Sequence, residues 1–197
     1  MEKQLIISIG REFGSGGHVI AEALAKRFNI PLYDHNLLDH IAEEKNLNAE
    51  ELKKFDEKPR NVLLSRTLKG HSSSPSDHIA MMQFDYLKKK AEKGESFVVV
   101  GRCAEMVLKE YEAMISLFVL GDKECKTKRV MEVYDISKEE ARKKMERHDV
   151  YRKQYHNSYC DSKWGDSRSF VHKQQPLGYR RYRGYAGGLH PCPQRRK

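Results

Sequence analysis

The stretch LIISIGREFGSGGH, residues 5–18, decides the fold of this chain. Its first five residues are an apolar, largely β-branched run, which predicts a short buried strand. A glycine-rich turn follows, and apolar residues then recur at helical spacing from Val19 to Phe28. A strand, a glycine loop and a helix in this order predict the opening of a parallel α/β sheet.

Three further apolar segments predict the other strands, at residues 32–34, 97–100 and 115–120. Residues 57–76 have no hydrophobic periodicity and predict a flexible excursion. Asp77 then stands where it could cap a helix that runs to about Lys93. Ser137 and Glu140 form a capping-box pattern, which predicts the start of a long polar helix.

The positive charge of the chain is concentrated at one end. The formal net charge of the 197 residues is +9, but residues 171–197 carry seven of the 37 Lys and Arg residues and none of the 28 acidic residues. The other 170 residues therefore carry a net charge of only +2, which argues against a nucleic-acid partner. No apolar run approaches the length of a membrane span. The four cysteines form no C-x-x-C pair, and a cytoplasmic location is expected.

The glycine loop carries the strongest chemical signal. Gly14, Gly16 and Gly17 stand where main-chain amides at a strand-to-helix turn would converge on a phosphate. A standard P-loop also has a lysine followed by serine or threonine, which reach the phosphates and Mg²⁺. The corresponding places here read Gly17-His18 or His18-Val19, so the lysine is absent. The loop predicts phosphate binding, with a plain tight turn as the alternative.

Two charged residues stand at the carboxyl ends of predicted strands, where ligands bind in an open parallel sheet. Arg102 follows the strand at 97–100, and a guanidinium group suits a phosphate. Asp34 ends the strand at 32–34, so its position also predicts that it faces the ligand site. For both, the alternative is an ordinary ion pair with a neighbouring side chain.

The long polar helix carries Arg147, Asp149 and Arg152. Arginines on a mobile lid stabilise the charge that phosphoryl transfer spreads over the phosphate oxygens. The alternative is a solvated basic face. The histidines show no metal-binding spacing, so we assign no metal ligand within the protein.

Three motifs resemble the cytidylate kinase-like family of bacterial P-loop proteins. They are ISIGREFGSGG at 7–17, VVGRCA at 99–104 and KWGD at 163–166, within a resemblance that covers about residues 4–170. The resemblance implies an α/β P-loop NTPase fold of three layers with a parallel sheet. Residues 1–170 would form this domain, with a monophosphate-binding insertion at about 36–93 and an arginine-bearing lid at about 137–166.

The same resemblance implies transfer of the γ-phosphoryl group of ATP, with Mg²⁺, to CMP or dCMP. The residues that would cradle the ATP phosphates are Gly14, Ser15, Gly16, Gly17 and His18. Arg102 would hold the CMP phosphate, like the arginine in the Gly-Arg-Asp motif of cytidylate kinases, although Cys103 replaces the Asp of that motif. We expect Asp34 to belong, with Arg102, to the site that binds the monophosphate.

The catalytic charges are assigned to arginines. Asp149 and Arg152 look like the Asp-x-x-Arg of the family's lid, and Arg147 lies beside them. Arg11 lies within the glycine loop and is the candidate for the missing positive charge of the lysine. We therefore expect Arg11, Arg147 and Arg152 to be catalytic.

The tail departs from the family pattern, which usually continues with a strand like YDLCINSS, a glycine turn and a last helix. Permitted codons for residues 171–188, read one nucleotide later, spell CINSSPLGIEGIEGMLE. We therefore interpret residues 171–197 as a disordered basic tail encoded out of frame. The fold would then lack its last strand and helix.

Two functions from different classes follow from these residues. The first is a nucleoside monophosphate kinase, and the second is a nucleotide-binding regulatory protein that kept the fold and lost phosphoryl transfer. The departure at Gly17-His18 separates them, because it removes the usual lysine. An RNA-binding function of the Arg/Tyr/Gly-containing tail ranks last, since the change of frame explains that composition.

Overall fold

The computed structural model describes residues 3–56, 67–68, 71–72, 74–165 and 170–174. The chain begins with strand β1 (Ile6–Arg11), helix α1 (Gly17–Phe28) and strand β2 (Leu32–Tyr33). This confirms the predicted strand, loop, helix and strand. Asn29 ends α1 in the left-handed conformation, with a φ of 50°, directly before Ile30 and Pro31.

Helices dominate the segment between β2 and the next strand of the main sheet. They are α2 (Leu37–Lys45), α3 (Ala49–Lys53) and α4 (Pro75–Glu92). Two short antiparallel strands, β3 (Thr67–Leu68) and β4 (His71–Ser72), pair within the segment predicted as a flexible excursion. The rest of that excursion up to residue 73 lies outside the described residues.

The second half of the domain alternates strands and helices again. It contains β5 (Phe97–Val100), α5 (Ala104–Val107), β6 (Met114–Gly121), α6 (Lys123–Tyr134) and α7 (Lys138–Tyr159). Ser137 and Glu140 form the predicted capping box at the start of α7. Asp122 caps α6 by accepting from the N–H groups of Glu124 and Cys125.

A parallel sheet organises the domain. In the described residues its five strands lie in the order β2-β5-β1-β6-β7, where β7 is Phe170–Gln174. The chain leaves β1 in one direction to reach β2 and later returns to β6 on its other side, so β1 lies at a switch point of the topology. Ligands in open α/β sheets bind outside the carboxyl ends of the strands at such a point. The glycine loop follows β1 at that position.

Helices cover both faces of the sheet, which confirms three layers. Ile7 and Ile9 pack with α1 residues such as Leu24 on one face. Ile6 and Phe97 pack on the other face with residues from α2, α4 and α5. Because β1 and β5 are covered on both sides, their sequences are apolar at nearly every buried position.

Strand β7 corrects the expectation that the last strand is missing. Residues 170–174 pair in parallel with β6, in a register that joins Leu117 to Phe170 and Gly121 to Gln174. Pairing at the edge of a sheet needs main-chain N–H and C=O groups and no particular side-chain pattern, so a polar segment can provide it. The disordered tail and the missing last helix, predicted for residues up to 197, lie outside the described residues from 175 onward.

Among the described residues, no helix combines the length and the apolar character that crossing a membrane requires.

Candidate active site

The glycine loop connects β1 to α1 with backbone conformations that favour glycine. Gly14 and Gly16 have φ values of 74° and 83°, in the left-handed region. A Cβ at Gly17 would lie only 2.6 Å from the Cβ of Arg11. The first turn of α1 has no acidic residue and no side-chain cap, so its amide groups and positive dipole end face the loop without a protein anion in that turn.

The close approach of Gly17 to Arg11 bears on the missing lysine. Gly17 occupies one of the two places where a P-loop lysine could stand, and any side chain there would collide with the base of the Arg11 side chain. At that place, Arg11 and a lysine therefore exclude each other. The sequence-based choice of Arg11 as the substitute cation has a geometric basis, and its catalytic role stays a prediction.

Asp34 links β2 to the glycine loop. Its Oδ2 lies 2.7 Å from Nδ1 of His18, and its Oδ1 lies 3.5 Å from Nη2 of Arg11. Nε2 of His18 also lies 3.2 Å from the Glu22 carboxylate. One buried carboxylate thus holds two of the predicted site residues, and the ion pair that the sequence left open as an alternative for Asp34 is present.

Arg102 is buried at the end of β5, where its backbone has a φ of 61°. Its Nη1 donates to Oδ1 of Asp56, which also accepts from Nε2 of Gln83 at 3.0 Å. Its Nη2 lies 3.4 Å from the carbonyl oxygen of Asp34. Arg102 therefore has a carboxylate partner, as the alternative interpretation expected, but the pair is inside the protein rather than on its surface.

Helix α7 packs its middle against the glycine loop. The N–H of Phe13 donates to Oδ1 of Asp149 at 2.7 Å, and Nη1 of Arg152 lies 3.5 Å from the carbonyl oxygen of Arg11. The Arg152 guanidinium lies 5.4 Å from the centre of the Phe13 ring. Burial raises the pKa of the Asp149 carboxyl, although the Phe13 hydrogen bond and nearby cations act in the opposite direction.

Arg147 is not brought into this group. Its side chain is exposed, whereas Arg152 is half-buried against the loop. Their separation of five positions turns the helix by about 140°, so the two arginines lie on different sides of α7. Of the three residues predicted for the lid, Asp149 and Arg152 lie at the loop, and Arg147 lies on the solvent side.

Three residues at the loop were missed from the sequence. Glu12 accepts from Nζ of Lys126 at 2.8 Å and from the N–H of Gly121 at 3.1 Å. Arg129 donates from Nη1 to the carbonyl oxygen of Gly14. Lys126 and Arg129 come from α6, which follows β6 at the same edge of the sheet. Their position after a central strand was the available signal in the sequence.

A cavity opens at the carboxyl ends of β1 and β5, beside the middle of β6. It is lined by three arginines, Arg11, Arg102 and Arg152, and by the aromatic side chains of Phe118, Tyr155 and Trp164. The Phe118 and Trp164 rings are perpendicular, with centroids 5.3 Å apart. Guanidinium groups beside apolar rings suit a ligand that joins an anion to a flat heterocycle.

A cluster of thiol, imidazole and carboxyl groups borders the same cavity. Oε1 of Glu105 lies 2.9 Å from Nε2 of His156. A hydrogen bond with Cys103, together with a hydrogen bond and the charge of His156, outweighs the effect of burial and lowers the pKa of the Cys160 thiol to about 6. Burial lowers the pKa of His156, but hydrogen bonds with Cys160 and Glu105 outweigh it and raise the pKa to about 10.

A family model and solved structures of other proteins match this chain. A model of the cytidylate kinase-like family matches residues 6–170. The crystal structure of an uncharacterized protein from Eubacterium ventriosum is 44% identical, covers 86% of this chain and 88% of that chain, and gives a TM-score of 0.66. An unliganded sugar kinase from a Janibacter species is 13% identical over 93% of this chain and 92% of that chain, with a TM-score of 0.50, which is a likeness of fold alone. No curated protein matches.

The P-loop kinase fold predicted from the sequence is confirmed by the family match and by the parallel sheet. The match covers the glycine loop, the Gly101-Arg102 turn and the whole of α7. The chain belongs to the cytidylate kinase-like family.

Proposed function

We propose that the protein is a nucleoside monophosphate kinase that transfers the γ-phosphoryl group of ATP to CMP or dCMP. The observation that carries this proposal is the convergence of Arg11, Arg102 and Arg152 on one cavity beside the glycine loop. Arg11 and Arg102 lie at the carboxyl ends of neighbouring strands and Arg152 comes from α7, so the cavity offers several guanidinium groups to two adjoining phosphate groups.

ATP would bind with its phosphates over the loop from Gly14 to His18. The amides of the loop and of the first turn of α1 supply hydrogen bonds, and the helix dipole adds positive potential. Lys126 and Arg129 add fixed positive charge on the α6 side. These groups, with Arg11, replace the electrostatic contribution of the absent lysine.

Mg²⁺ would arrive with ATP as part of the substrate. The Asp34 carboxylate at the loop already pairs with His18 and Arg11. We therefore propose that the ATP phosphates and water hold most of the magnesium coordination sphere, an arrangement that this ion commonly adopts. The ion would neutralise charge on the β- and γ-phosphate oxygens.

The acceptor phosphate would bind Arg102. A phosphate must compete with Asp56 for the guanidinium group, so binding exchanges one buried ion pair for another. An oxygen of the acceptor phosphate would then attack the γ-phosphorus as its bond to the ADP oxygen breaks. Arg11 and Arg152 would stabilise the charge that spreads over the transferred group. The cytosine base would lie against Phe118 and Trp164.

A coupled assay of ADP release with CMP, dCMP, UMP, AMP and GMP tests the proposal. We expect turnover with CMP and dCMP, and a loss of about 100-fold in kcat/KM for Arg102→Ala at unchanged fold. Arg142→Ala is the matched control, because Arg142 is an exposed arginine on α7 that pairs with Glu124. Turnover that survives in Arg102→Ala, or that is equally reduced in Arg142→Ala, would contradict the proposal.

The second candidate is a nucleotide-binding regulatory protein of the same fold. His18 favours it, because its ring pairs with Asp34 and Glu22 in a place where an active P-loop can carry a lysine. Saturable binding of ATP and CMP without ADP release, in a protein that remains folded, would support this function over the kinase.

A further inference from the structure

A second group of chemically reactive side chains lies where α5 meets the carboxyl end of α7. One donor atom from each of Glu105, His156 and Cys160 lies within 4.8 Å of the other two. His156 and Cys160 are each 8% exposed, and Glu105 is partly buried. The role proposed above for the cavity uses none of these three side chains.

The fold holds the donors in place before any ion binds. His156 and Cys160 are four residues apart at the end of α7, so they share one face, and the N–H of Cys160 donates to the His156 carbonyl oxygen at 2.8 Å. Glu105 comes from the first turn of α5 and lies 2.9 Å from His156. Two separate helices therefore contribute to one pocket of ligands.

A fourth donor lies beside the three. Cys103, the residue before α5, is 3% exposed and its side chain hydrogen-bonds that of Cys160. Two sulfurs, one imidazole and one carboxylate are the ligand types that zinc takes in tetrahedral sites, whereas Mg²⁺ and Ca²⁺ take oxygen ligands. Donor atoms around tetrahedral zinc lie about 3.4–3.8 Å apart, so the three donors within 4.8 Å would close on the ion, and Cys103 would turn beside Cys160 to complete the shell.

We propose that Cys103, Glu105, His156 and Cys160 form a binding site for Zn²⁺. The ion takes the place of the protons that now lie between these groups, and its binding releases them to solvent. Four protein ligands leave no open position, which is the arrangement of structural rather than catalytic zinc. The site fastens the end of α7 to the turn that carries Arg102.

This attachment has a consequence for the candidate active site. Arg152 lies one turn before His156 on α7, and Arg102 lies directly before Cys103. Zinc therefore fixes the separation of two arginines that line the same cavity. The zinc site stands whether or not the cavity performs phosphoryl transfer, since its evidence is the ligand cluster alone.

The test is a titration of the full-length protein, freed of metal with a chelator, with Co²⁺ and then with Zn²⁺. Wild type is expected to develop a thiolate-to-cobalt charge-transfer absorption that saturates at about one ion per chain and is lost when Zn²⁺ displaces cobalt. Zn²⁺ is also expected to raise the melting temperature of wild type by several degrees.

Variants separate this site from other ligands. Cys160→Ser should abolish the absorption and the zinc-induced rise in melting temperature, while Cys125→Ser, at a cysteine outside the cluster, should retain both. Glu105→Gln keeps its shape on the partly exposed side of the cluster and should weaken zinc binding by about tenfold or more at an unchanged circular dichroism spectrum. A folded wild type that binds no Co²⁺, an absorption unchanged in Cys160→Ser, or a zinc affinity unchanged in Glu105→Gln would overturn the proposal.

Discussion

Nδ1 of His18 lies 2.7 Å from Oδ2 of Asp34, which joins the first turn of α1 to the end of β2. The other carboxylate oxygen of Asp34 lies 3.5 Å from Arg11. Arg11, which we propose as the substitute for the P-loop lysine, is thus paired with a carboxylate from the end of a neighbouring strand. If Arg11 contacts the ATP phosphates as proposed, this carboxylate orients it there.

Asp34→Asn tests that anchor. The amide keeps the size of the side chain but removes the charge that orients Arg11 and His18, so we expect ATP to bind about tenfold more weakly, equivalent to about 1.4 kcal/mol. The measurement is the dissociation constant of ATP by calorimetry. Asp39→Asn is the control, because Asp39 pairs with Lys53 on the surface and should leave ATP binding unchanged. Equal ATP affinities for wild type and Asp34→Asn would show that Arg11 needs no anchor.

The contact between Gly17 and Arg11 yields a second prediction. Gly17→Ala places a Cβ 2.6 Å from the Cβ of Arg11, and this overpacking should lower the free energy of unfolding by about 1–3 kcal/mol. Adding Arg11→Gly removes the collision and should recover most of that stability in denaturant melts, while phosphoryl transfer stays lost because the guanidinium is gone. A double variant no more stable than Gly17→Ala would refute the steric explanation of the missing lysine.

Asp149 leads to a pH-dependent prediction. Burial raises the pKa of its carboxyl above the usual 3.8, so the folded state binds the proton more tightly than the unfolded state. The free energy of unfolding therefore falls as the pH rises from 3.8 through the folded-state pKa, and this loss of stability remains at neutral pH. Asp149→Asn keeps an acceptor for the Phe13 N–H and should melt about 1–4 °C above wild type at pH 7.

This gain should shrink as the pH falls towards 3.8, because wild-type Asp149 then takes up its own proton. Melting temperatures of both proteins across that range provide the measurement. Asp161→Asn, at an exposed aspartate, serves as the control and should match wild type throughout. A gain for Asp149→Asn that is the same at every pH would mean that the charge of Asp149 is not its cause.

The strands and the glycine loop could be predicted because their signals are local. A continuous apolar run such as residues 97–100 indicates a strand buried on both faces, and glycines at a turn indicate the loop. The prediction that Asp77 caps α4 was wrong. Pro75 stands at the first helical position, whereas Asp77 is buried within the helix and accepts from the Tyr159 hydroxyl at 2.6 Å. Proline at that position defined the boundary better than the acidic residue.

The side-chain partners in the site could not be predicted, because they join distant segments. Arg102 and Asp56 are 46 residues apart, and Glu12 and Lys126 are 114 residues apart. No sequence periodicity relates such residues, and they meet only because the fold places their segments side by side at one edge of the sheet. The cluster around Cys160 had one local signal, the four-residue spacing from His156, but Glu105 lies on another helix.

The tail offers a prediction about the last strand. Strand β7 lies at the edge of the sheet and reads Phe-Val-His-Lys-Gln, whereas the alternative reading frame places Cys-Ile after Phe170. The test variant replaces residues 171–188 with CINSSPLGIEGIEGMLE and continues in the same alternative reading frame. Its melting temperature should be several degrees higher, because apolar strand residues suit a sheet covered on both faces. Equal melting temperatures would argue against a change of frame.

Calorimetric titration of the purified full-length protein with MgATP and with CMP shows whether main-chain amides and guanidinium groups hold nucleotide phosphates without a P-loop lysine. We expect saturable binding of both nucleotides by wild type, with CMP binding reduced about 100-fold in Arg102→Ala and ATP binding nearly unchanged. A folded wild-type protein that gives no binding heat with either nucleotide at several temperatures would contradict this expectation.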